Sequence, residues 1–149
     1  ACGRCSGPAA GRSESASREG WSMPVHEVRP PRVLLGNLEP IVRLGMATVL
    51  GEDDVDVIGA EARPAALVLL AGSLRPDAVV LDLGNAESRM LGESVRTASP
   101  ETTVVYWARD EELMEVVAPG AADPRRVFAP VPEELSSALK RSHLNRVER

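Results

Sequence analysis

From Arg32 onward the chain alternates short apolar runs with stretches of helical length, and this alternation limits the possible folds more than any other feature. Val33-Leu34-Leu35 is closed by Gly36-Asn37, as expected of a short buried strand. Four more runs read the same way: Val55-Asp56-Val57-Ile58, Ala78 through Leu83, Thr102 through Trp107, and Arg126-Val127-Phe128. The spacing predicts helices over 40–50, 63–74, 87–98 and 132–146, with a weaker one over 110–117. Pro40 suits a first helical turn, where its missing N–H is no loss. Arg75-Pro76 stops the second helix, because a residue before proline avoids helical geometry. Five strands alternating with five helices imply a parallel sheet covered on both faces.

Composition narrows the function. A net charge of −5 argues against a surface built to bind nucleic acid directly. No apolar run approaches the ~20 residues a membrane span needs. The N-terminus has no apolar segment before a small-residue cleavage site, so it does not read as a secretory signal, and a cytoplasmic location is expected. Cys2 and Cys5 form a lone Cys-x-x-Cys, and the two histidines, His26 and His143, are too far apart in sequence to suggest the rest of a zinc site. Residues 1–31 hold little that is both large and apolar and read as a disordered extension. The folded unit is expected over 32–146, with 147–149 as a tail.

This topology locates a site. In open α/β sheets the functional crevice lies beyond the carboxyl ends of the strands, where strand order reverses. Here it would be lined by Asn37 and Leu38 after the first strand and by Asp82 at the end of the third. An acid ending an apolar strand needs explaining, because a buried carboxylate is costly unless paired or solvated. Capping of the following loop and a chemical role both fit.

Three segments carry a resemblance. Arg32 through Met46 is similar to the first strand and helix of NarL-type receiver domains of bacterial two-component response regulators. Leu74 through Leu83 resembles the approach to their phosphoacceptor aspartate, and Pro132-Glu-Glu-Leu135 resembles the start of their last helix. The resemblance implies a flavodoxin-like (βα)5 fold with a five-stranded parallel sheet, and it puts Asp82 at the phosphoacceptor position. It also exposes departures. The family's acidic, Mg²⁺-holding pair is matched by Asn37 and Leu38, and leucine offers no donor to a cation that demands oxygen ligands. Its Ser or Thr after the fourth strand is matched by Trp107. Its lysine after the fifth is matched by Phe128, Ala129 or Pro130, depending on the gap. Its Met-Pro loop is replaced by Gly84-Asn85-Ala86-Glu87. Phosphoryl transfer relies on the metal and these groups, so Mg²⁺ binding and phosphorylation are expected to be lost, with no cofactor in their place.

What remains is expected to be a non-enzymatic regulatory module that acts through protein partners, with a role in transcription. A DNA-binding segment beyond Arg149 would fit the resemblance. Alternatives are a receiver still phosphorylated at Asp82 by a histidine kinase, and a small-molecule sensor using the vacated crevice. Trp107 is expected to fill that crevice, with an indole half exposed over the sheet's rim as the other possibility. Ile41, Leu44, Thr48 and Val49 share one broad face of the first helix, and on the second helix Leu69 points away from its core stripe. A homodimer is expected to use the first and last helices, through Ile41, Arg43, Leu135 and Leu139.

Overall fold

The computed structural model describes residues 29–128 and 132–147. Six strands and four helices follow in the order β1 (Arg32–Leu35), α1 (Pro40–Glu52), β2 (Asp56–Ala60), α2 (Pro64–Leu74), β3 (Ala78–Asp82), α3 (Ser88–Ala98), β4 (Thr103–Ala108), β5 (Leu113–Val117), β6 (Arg125–Phe128) and α4 (Pro132–Val147). A 3-10 turn, Arg109–Glu111, links β4 to β5. All six strands form one sheet in the order β2-β1-β3-β4-β5-β6. The first four pair in parallel, whereas β5 runs antiparallel to both β4 and β6.

The five-stranded parallel sheet expected from the sequence is therefore corrected to a six-stranded mixed one. The reason lies in 110–117, where a helix was expected and a strand is found. A helix that short gains little from its own hydrogen bonds. As a strand, Leu113–Val117 pairs on both edges and sorts its side chains, with Met114 and Val116 in one core and Val117 in the other. Ala118-Pro119-Gly120-Ala121 then closes a turn by an Ala121 N–H bond of 3.0 Å to the Ala118 carbonyl. Gly120 takes φ = 78°, the left-handed geometry that a type II turn asks of glycine after proline. A hairpin thus stands where the sequence reading expects a fourth helix and a crossover to a parallel strand.

Alternation along the inner strands builds two cores. Val33, Leu35, Val80, Val105 and Trp107 face α1 and α4, where they meet Met46, Leu50, Leu135 and Leu139. Leu34, Val79, Leu81, Val104 and Tyr106 face α2 and α3, where they meet Leu67, Ala71, Leu91 and Val95. Burying each such aliphatic side chain stabilises the fold by about 1.5–3 kcal/mol. Leu69 is exposed on α2, as its position off the core stripe predicts.

The face of α1 that meets the core is Val42-Met46-Leu50, while Ile41 and Leu44 of the broad face named above stand 77% and 70% exposed. Two further expectations need correction. Leu135 and Leu139 of the expected dimer surface are core residues at 0% and 3% exposure and cannot be presented to a partner. Of the four residues named for that surface, only Ile41 and the half-buried Arg43 reach solvent. Finally, the folded unit begins before Arg32. Pro31 is buried and its carbonyl accepts the Asp56 N–H at 2.9 Å, and Arg29 lies 3.3 Å from the Asp77 carboxylate. His143 on α4 bonds the Arg29 carbonyl through Nε2 at 3.1 Å, which ties this segment to the last helix. Residues 1–28, including Cys2, Cys5 and Trp21, lie outside the described residues, as do 129–131 and 148–149.

Candidate functional site

The carboxyl ends of β1, β3 and β4 meet in a crevice of about 180 Å³. Leu38, Val42 and Trp107 form its apolar wall, and Asp82, Glu39, Asp110 and Glu111 supply carboxylates. Among the described lining residues no lysine or arginine is present. The crevice therefore presents negative charge, which disfavours approach of an anionic group such as a phosphoryl.

Asp82 ends β3, half buried, with its backbone in register with Trp107 on β4. Its Oδ1 accepts the Gly84 N–H at 2.9 Å, an Asx-type turn that holds the loop toward α3. The carbonyl of Asp82 accepts from Asn85 N–H at 3.1 Å, and Leu83 N–H reaches the Trp107 carbonyl at 3.0 Å. The loop-capping role that the sequence left open for Asp82 is thus present in the geometry.

Asn37 is engaged in structure. Its Oδ1 accepts the Asp82 N–H at 3.1 Å, and its Nδ2 donates to Ser88 Oγ at 2.9 Å. The fully buried Ser88 hydroxyl in turn donates to the Asp82 carbonyl. This closed loop of bonds clips the β1 turn to the end of β3 and to the first residue of α3. An amide is suited to the place because one end donates and the other accepts; a carboxylate only accepts. Ser88 carried no site signal in the sequence beyond being a hydroxyl at a helix start, six residues past Asp82.

Leu38, 5% exposed, belongs to the α1/α4 core. Trp107 is 4% exposed in the same core, so the indole lies inside and not over the rim. It fills only part of the space, since the crevice remains open beside it. Tyr106 points to the opposite face, as period-2 alternation requires, and packs under α3. Burial raises the Tyr106 phenol above its ordinary range, and the nearby Arg89 partly offsets the effect. Among the described residues no three His, Cys, Asp or Glu side chains are grouped so as to hold a metal ion. Ala129, the candidate for the lysine position, lies outside the described residues.

A second polar cluster, which the sequence reading missed, sits on the α2/α3 side of the hairpin. Glu115, 2% exposed on β5, has Arg89 Nη2 at 2.7 Å and Arg126 Nε at 3.2 Å. The Arg89 guanidinium also lies 4.8 Å from the Tyr106 ring centroid, close enough for a cation–π contact. Reading 110–117 as a helix hid this cluster, because only strand pairing brings Glu115 opposite Arg126.

Among the described residues no helix is long and apolar enough to cross a membrane. No protein-family model matches the chain, and no curated protein matches it in sequence.

Proposed function

We propose that the chain is an atypical receiver-like domain that regulates by binding protein partners, without phosphorylation and without Mg²⁺. The observation that carries this reading is the Asn37–Asp82–Ser88 clip. In a phosphorylated receiver the side chains around the acceptor bind metal and phosphoryl oxygen; here the Asn37 amide is engaged by the Asp82 backbone N–H and by Ser88, while the Asp82 carboxylate faces the crevice. Leu38 and Trp107 add apolar bulk where the family has metal and phosphoryl contacts. The parallel order β2-β1-β3-β4, with Asp82 at the crevice, supports the likeness over the first four strands. The β5–β6 hairpin departs from it. A cytoplasmic setting and a role in transcription, through a DNA-binding segment joined to this domain, belong to the same proposal.

Incubation with acetyl phosphate and millimolar Mg²⁺ is expected to leave the intact mass unchanged. A gain of one phosphoryl group that disappears in Asp82→Asn would restore the conventional reading. The open crevice beside Trp107 favours one other role, a small-molecule sensor. Saturable quenching of Trp107 fluorescence by a bound metabolite would support that role over the first.

A further inference from the structure

The two edges of the sheet are complementary to each other. Among the described residues β2 pairs only with β1 and β6 only with β5, so each leaves one row of backbone N–H and C=O groups without a strand beside it. Both strands are markedly less buried than β3 and β4 between them. Such edges invite pairing with another chain, and proteins restrain this with edge charges. Here the charges have opposite signs. Asp56 is exposed on β2, with Asp54 exposed and Asp53 half buried just before it; Arg125 and Arg126 are exposed on β6.

Direction and face agree as well. Because β5 is antiparallel to both its neighbours, β6 runs in the same sense as β1 to β4. Val57 and Val127 both pack toward the α1/α4 core. Asp56 precedes Val57 and pairs with Arg32, and Arg126 pairs with Glu115, so alternation places both charges on the α2/α3 face. A second copy moved along the sheet can therefore set its Asp56 beside Arg126, its Val57 beside Val127 and its Ile58 beside the 67% exposed Phe128. Pairing of like edges would instead crowd the arginines or the aspartates of both copies together.

We infer that β6 of one copy adds in parallel to β2 of the next, extending the sheet head to tail. The contact is heterologous, so it grows an open chain rather than a closed two-fold dimer. Short parallel pairing is modest in strength, and the Asp–Arg contact is screened by salt. Assembly is thus expected only at high protein concentration and low ionic strength. This surface differs from the first- and last-helix dimer expected from the sequence.

A charge-swap experiment by sedimentation velocity tests it. At low salt the average sedimentation coefficient of the unmodified chain should rise continuously with concentration. Asp56→Lys alone and Arg126→Glu alone should each remain monomeric. Mixing the two should restore growth, because the lysine introduced on β2 of one variant meets the glutamate introduced on β6 of the other. Circular dichroism checks that both variants fold. If Arg126→Glu fails to fold through repulsion with Glu115, Phe128→Ser replaces it and should reduce assembly without touching an ion pair. A strict monomer at all concentrations would overturn the inference. So would a discrete dimer indifferent to Asp56→Lys, or growth insensitive to both edge substitutions.

Discussion

Replacing Trp107 by alanine is expected to cost about 3–5 kcal/mol of folding free energy, the range for deleting a buried aromatic side chain. The indole is 4% exposed within the α1/α4 core, beside Leu38, Met114 and Val105. Truncation removes that packing and joins the resulting void to the crevice at Asp82. Water entering from the open side could relieve part of the void but would restore none of the lost apolar burial. Against a typical domain stability of about 5–15 kcal/mol, urea denaturation should show a large drop in midpoint. Trp107→Thr, which puts a hydroxyl where the resemblance matches a Ser or Thr, should lose a similar amount and gain no phosphorylation. A loss below about 1 kcal/mol, within the range of ordinary surface changes, would mean that the indole is not part of the core.

Gly92→Ala should also destabilise, against the usual trend for glycine in a helix. Alanine ordinarily gains about 1 kcal/mol over glycine in a helix interior. At position 92, on α3, an added methyl would collide with the Tyr106 hydroxyl and come within 2.8 Å of its ring Cζ. Tyr106 has little freedom to retreat, being 2% exposed on a central strand with Arg89 against its ring. Overpacking of this kind costs about 1–3 kcal/mol. Gly45→Ala on the exposed side of α1 meets nothing within 4 Å and should stabilise. Tyr106→Phe should partly rescue Gly92→Ala by removing the colliding oxygen. Similar thermal midpoints for the two alanine variants would contradict the close packing of α3 on β4.

The parts of this fold that local pattern determines were legible in the sequence. Apolar runs such as Ala78 through Leu83 have no polar face to expose, so each falls on a buried strand. Pro40 and Pro132 mark helix starts that the structure retains. Where two readings satisfied the same pattern, distant contacts decided. On α1, Ile41-Leu44-Thr48 and Val42-Met46-Leu50 both have helical spacing, and only packing against Leu35, Leu38 and α4 selects the second. For 110–117 the competing state was a strand whose partners lie on β4 and β6, and no local window contains them. The candidate site shows the same division. Asn37, Leu38 and Asp82 follow from the alternating topology, which puts strand ends at the crevice, whereas Trp107 is reached only through the resemblance. That Asn37 bonds both Asp82 and Ser88 could not be read from sequence, because it depends on the distance between three separate turns.

The central claim is that the end of β3 is held by side chains of the chain itself and does not take up a metal to switch. A titration of Mg²⁺ to millimolar concentration, followed by amide chemical shifts, tests this most directly. The amides of Asn37, Asp82, Gly84 and Ser88 should keep their positions, apart from small non-saturating changes shared with exposed acidic loops such as 52–54. Saturable shifts centred on Asn37, Asp82 and Gly84 would contradict the claim, because they would show that an ion settles beside the Asp82 carboxylate.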